Sequence, residues 1–159
     1  MKTLRDAPEL ANQKASVATI AQLRALPPIE WHNKAPRIDA ERRIAGVSAW
    51  VVGYKLETDS DWHVVIRDAA GLTMIVEFPN PGCAMSSPVA DIFKKARAQF
   101  AAVVGAGQPP PSSTFHELPQ PIPVAVAGVV FLDHPHKQVG RAPNDVELHP
   151  VTWISRRTR

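Results

Sequence analysis

The chain has 159 residues, 45% of them hydrophobic and 21% charged, which is the balance of one globular domain. Its one cysteine, Cys83, excludes an intramolecular disulfide and a cysteine-rich zinc site. The net charge of +3 permits contact with phosphates, but much of the excess lies in Arg37 to Arg43 and in the tail from Ser155 to Arg159. A strongly basic nucleic-acid binder concentrates more charge on one face.

Asp6, Glu9 and Lys14 break up the N-terminal stretch where a secretory signal needs an unbroken apolar run. No stretch approaches the roughly 20 apolar residues of a membrane-spanning helix. A soluble, cytoplasmic protein without a membrane partner is therefore expected.

Residues 1–15 show no sustained period and read as a loose arm or an irregular helix. Ser16 then opens "SVATIAQLRALPP", whose apolar residues recur at three and four and which Pro27 and Pro28 stop, so a short helix is expected there. Residues 1–42 together read as an N-terminal arm.

From Arg43 the period becomes two. "RIAGVSAWVVGYKLE" is long for a strand, with Gly46 and Gly53 where it would bend. "DWHVVIRD" and "LTMIVEFP" follow as a hairpin. Pairing Asp68 with Leu72 sets Ile66 against Met74, Val64 against Val76 and Trp62 against Phe78, which makes one coherent apolar face. A slip of one residue would turn each of these to the wrong side. The other face then pairs Arg67 with Thr73, Val65 with Ile75 and His63 with Glu77.

"SPVADIFKKARAQFAAVVG" is the clearest helix. Ser87 is expected to cap it, Pro88 suits its first turn, Val89, Ile92, Phe93, Ala96, Phe100 and Val103 form its apolar stripe, and Gly105 ends it. A linker rich in proline and serine leads to the strand "PIPVAVAGVVFLD", and the last strand is "VELHPVTWI", with 155–159 as a basic tail. Three strands, a helix and two strands over residues 43–154 make a mainly β chain. That order predicts an OB-fold-like Greek-key barrel of five strands, with its helix between the third and fourth.

Two groups of residues have the chemistry of metal ligands. Asp59 precedes Asp61 and His63, which alternate on one strand, and the register brings Glu77 to them, so a divalent ion could be held and a water activated. The second group lies in "DHPHKQVGRAPNDVELHP", where Asp133, His134 and His136 follow the fourth strand while Glu147 and His149 alternate on the fifth. Its spacing matches no zinc signature such as H-E-x-x-H. The bland reading of the first is a "TDSD" turn followed by a cross-strand hydrogen bond from His63 to Glu77; that of the second is a hydrogen-bonded loop, in which "GRAPND" has the residues of a turn and Glu147 and His149 tie it down. Cys83 before the helix reads as packing rather than as a nucleophile. No Gly-rich phosphate loop is present, so no nucleotide cofactor is implied and a divalent metal is the one candidate.

Asp59-x-Asp61-x-His63, then "EFPNPGC" from Glu77 to Cys83, then "GRAPNDVELHPV" from Gly140 to Val151 resemble the motifs of a group of small, uncharacterised bacterial proteins of OB-fold-like type. The group pattern reads D-x-D-x-H, E-x-P-x-P-x-C and G-x-A-P-N-x-x-E-L-H-P-V, and the likeness spans most of residues 43–154. This chain departs from it at His136, Lys137 and Gln138. The resemblance implies a common domain and supplies no mechanism.

OB-folds bind oligonucleotides and oligosaccharides on strands and adjoining loops. Trp50 and Tyr54 are the aromatic candidates here, with Lys55, Arg67, Lys137, Arg141 and Asn144 as polar contacts; Trp62 falls on the core face. The expectation is a binding or interaction module for single-stranded nucleic acid or a protein partner. The rival is a metal-dependent phosphodiester hydrolase that uses the histidine and acid groups.

Overall fold

In the computed structural model, residues 2–29, 36–85, 87–105, 112–135 and 137–158 are described. The elements are β1 (Ser16–Val17), α1 (Ile20–Arg24), β2 (Ile44–Leu56), β3 (Trp62–Arg67), β4 (Thr73–Phe78), α2 (Ala90–Val104), β5 (His116–Leu132) and β6 (Val146–Arg156). All six strands share one sheet in the order β1, β2, β3, β4, β6, β5, and β5 also pairs with β2. The pairings from β2 onward thus form a ring. β4 and β6 run parallel, whereas the remaining neighbours within the ring are antiparallel. The chain is mainly β, as expected.

The β3–β4 register is the one the apolar pattern dictates: Trp62 faces Phe78, His63 faces Glu77, Val64 faces Val76 and Ile66 faces Met74. The turn between them is held by the Asp68 carboxylate, which accepts from the amides of Ala70 and Leu72. Alternation then separates two faces. Val64, Ile66, Met74, Val76 and Phe78 join Val47, Val51, Val126, Leu148 and Ile154 in the main core. α2 adds Ala96, Phe100 and Val103 to that core, with Phe100 stacked on Phe78 at 4.9 Å between centroids, and α1 adds Ile20 and Leu23.

Several local expectations need correction. Ser16 does not cap α1; it belongs to β1, which pairs with Ala45 and Gly46, and its hydroxyl donates to the Ile44 carbonyl. Thr19 is the cap, in a reciprocal capping box with Gln22. Ser87 lies one turn outside α2, whose N-cap position is Val89: its hydroxyl oxygen accepts from the Val89 amide while its hydrogen goes to the Thr3 carbonyl, which anchors the arm. Gly105 does end α2, at φ of 100°. The arm is not loose, because Leu4, Ala7 and Leu10 are buried with Val89 and Phe93 of the α2 region and with Ile44, Ala127 and Val129 of the sheet. The stretch read as a proline-rich linker is already strand from His116, and β6 runs on through Ser155 and Arg156 of the tail.

Gly53 marks the bend of β2, where the register with both β3 and β5 shifts. A Cβ there would lie 2.7 Å from the His116 carbonyl oxygen and 2.4 Å from the Phe115 ring. Gly53→Ala is therefore expected to destabilise the fold by about 1–3 kcal/mol, the cost of overpacking. Urea unfolding checks this, and an unchanged midpoint would mean that the bend tolerates a side chain.

Candidate functional site

The face of β3, β4 and β6 that points away from the core carries polar residues, and they are buried all the same. His63 and His149 are fully inaccessible, and Asp61, Glu77 and Glu147 are at most 7% exposed. Two layers of chain cover them. One is the loop between β5 and β6, where Gly140 takes φ of 83° and packs on Val65 so closely that a Cβ would lie 2.4 Å from its methyl group. The other is the start of the arm, where the Lys2 ammonium lies 3.2 Å from Asp133 and over the Phe131 ring.

The two sequence-derived groups merge in part. His149 of the second group joins Asp61 and Glu77 of the first: Glu77 Oε2 lies 2.8 Å and Glu147 Oε2 3.9 Å from His149 Nδ1, and Asp61 Oδ2 lies 3.7 Å from its Nε2. One ligand atom each from Asp61, Glu77 and His149 fall within 4.8 Å of one another. His134 is exposed and stands outside this group, and His136 lies outside the described residues.

His63 is bound differently. Its Nε2 is 3.0 Å from the Val139 carbonyl, and its Nδ1 is 3.4 Å from Glu77 and 3.6 Å from Glu57. The loop is thus tied by His63 rather than by Glu147 and His149, contrary to expectation. Gln138 adds a bond to Glu57, and the Asn144 amide donates to the Leu23 and Leu26 carbonyls. Asn144 is therefore a buried anchor and not a ligand contact.

His149 has no such settled partner. Glu77 Oε2 is near its Nδ1 but off the line of the N–H, and neither ring nitrogen makes a hydrogen bond. Glu147 Oε2 is likewise buried without one. Burial works against charge on the imidazole, but the Glu77 carboxylate outweighs it and pushes the His149 pKa up to about 9. For Glu77 burial is in turn outweighed, first by the His149 charge, and its carboxyl is held well below the usual range. Burial raises the pKa of Asp61 and of Glu147.

The other candidates scatter. Tyr54 is buried in an aromatic group with Trp62 and Phe100, Lys55 pairs with Glu57 at 2.8 Å, and Arg141 pairs with Asp145. Lys137 is exposed on the loop, and Cys83 is exposed rather than packed. Trp50 and Arg67 do come together. They are directly opposite on β2 and β3 and, with Asp68, Ala69, Gly71 and Pro121, line a cleft of about 580 Å³. Glu57 and Lys2 escaped the sequence reading; the acidic "ETDSD" was the one available hint for Glu57. No protein-family model matches the chain, and no curated protein is detectably similar to it.

Because its folded pKa lies above the unfolded value of about 6.5, the His149 proton stabilises the fold fully below that pH. The contribution is lost as pH rises through about 9. In chelator-treated protein, nitrogen NMR of the histidine rings is expected to show His149 as imidazolium at neutral pH. A neutral ring at that pH would contradict the ion pair with Glu77.

Proposed function

We propose that the chain is a binding module on an OB-like scaffold, with single-stranded nucleic acid as its ligand. Counted from β2, the strands pair in the order first, second, third, fifth, fourth and back to first, and the third and fifth are parallel. This order, with α2 between the third and fourth, supports the five-stranded Greek-key reading and the motif-based likeness to small bacterial proteins of that type.

The observation that carries the reading is the cross-strand pair of Trp50 and Arg67. The Trp50 indole is half-buried with no ring partner, and the exposed Arg67 guanidinium makes no hydrogen bond or ion pair among the described residues. An indole face stacks a base of any identity, and a guanidinium beside it meets the neighbouring phosphate. Arg24 stands close by, bonded to the carbonyl of Thr73, the residue opposite Arg67. We place the ligand here and not over β3 and β4, because the loops that flank that face are folded down onto buried carboxylates. Hydrolysis of a phosphodiester at those carboxylates is disfavoured for the same reason, since side chains so fully covered offer a substrate no approach.

Fluorescence anisotropy with a labelled oligothymidylate tests this reading. Binding is expected to weaken with salt at a slope of about −0.7 per phosphate contact. Trp50→Ala is expected to cost about tenfold or more, from a stacking contribution of about 1–3 kcal/mol, and Arg67→Glu a similar factor. Absence of binding at low salt, or equal binding by both variants, would overturn it.

A further inference from the structure

The side chains around His149 are acidic and buried: Asp61, Glu77 and Glu147 are at most 7% exposed and each has a carboxylate oxygen within 3.9 Å of an imidazole nitrogen. Buried charges are stable only when paired or bound to metal.

The donor geometry points the same way. His149 is wholly inaccessible, both its ring nitrogens lack hydrogen bonds, and carboxylates flank both: Glu77 and Glu147 at 2.8 and 3.9 Å from Nδ1, Asp61 at 3.7 Å from Nε2. One ligand atom each from Asp61, Glu77 and His149 lie within 4.8 Å of one another, and donors that share one ion at about 2.0–2.2 Å stand about 3.0–3.5 Å apart, so the three meet at one centre once their side chains rotate inward. We propose that Asp61, Glu77 and His149 bind one divalent transition-metal ion of the zinc or manganese type. With the ion on Nε2, the side that faces Asp61, the Glu147 carboxylate 3.9 Å from Nδ1 orients the imidazole, as carboxylates beside metal-bound histidines do. The imidazole selects against calcium and magnesium, which prefer all-oxygen sites. Glu57, His63 and Glu77 also bring one ligand atom each within 4.8 Å of one another, but Glu57 already pairs with the Lys55 ammonium at 2.8 Å and accepts from Gln138, so we place the ion at His149. The closed cover makes the ion structural: it would lock β4 and β6 to the segment that enters β3.

The test is calorimetric titration of the chelator-treated full-length protein with Zn²⁺ and with Mn²⁺. One ion per chain is expected for at least one of the two metals, with no comparable response to Mg²⁺ or Ca²⁺. Asp61→Asn and His149→Gln are each expected to weaken binding by about tenfold to a hundredfold or more. Cys83→Ser and His134→Ala, which alter exposed donors, are expected to leave it unchanged. Failure of both metals to bind, equal binding by the two site variants, or loss of binding in Cys83→Ser would overturn the proposal. Should the site variants not fold, the ring nitrogens of His149 in the unaltered protein decide: a shift on adding Zn²⁺ or Mn²⁺ supports the site, and an unchanged signal overturns it.

Discussion

His63 stands opposite Glu77 because the β3–β4 hairpin can pair in only one way that buries its apolar residues, and the polar interior of this protein follows from that constraint. Trp62, Val64, Ile66, Met74, Val76 and Phe78 all contribute to the main core or pack against it. A slip of one residue would expose these side chains together, at about 25 cal/mol for each Å² of apolar surface returned to water. The histidine and the carboxylate therefore share the opposite face whether or not their own contact is favourable. Parallel pairing of β4 with β6 then brings Glu147 beside Ile75, and His149, two residues on, points to the same side.

Burying that face costs solvation for every ionised group on it, and removing one partner of a buried pair typically costs about 3–5 kcal/mol. The structure offsets the cost unevenly. His63 and Asp61 each have neighbours that match them: a backbone carbonyl for the ring, and the Asn80 amide at 2.6 Å for the carboxylate. His149 and Glu147 lack aligned partners while lying among negative charges. The contrast within one cluster is between His63, whose neighbour Glu57 already pairs with Lys55, and His149, whose ring nitrogens face carboxylates without an aligned bond. The loop between β5 and β6 and the arm then seal the face, which moves the accessible, uncommitted aromatic and basic pair to the other end of β3, at Trp50 and Arg67.

Local periodicity made the strands, the hairpin register and α2 legible in the sequence, since each rests on neighbours within a few residues. The Asp61, His63 and Glu77 constellation was readable for the same reason. Its junction with His149 was not, because that requires knowing that β4 and β6 are neighbours some 70 positions apart in the chain. Lys2 was hidden by an arm whose buried residues, Leu4, Ala7 and Leu10, follow no regular period. Composition misled where it was taken locally: Pro119 suggested a linker, yet β5 begins at His116 and accommodates Pro119, Pro121 and Pro123 in the half that pairs with β2 alone. Asn144 was assigned to a turn and to a ligand at once, and only tertiary packing shows its amide holding the end of α1.

A double-mutant cycle between Glu77 and His149 tests the central claim most directly, that these two groups form the buried electrostatic pair around which the face is organised. Glu77→Gln, His149→Gln and the double variant would be compared by urea unfolding in chelator-treated protein at neutral pH. We expect a coupling energy of about 1–3 kcal/mol, in the range of contacting charged groups. Additivity of the two single changes to within about 0.5 kcal/mol would contradict it.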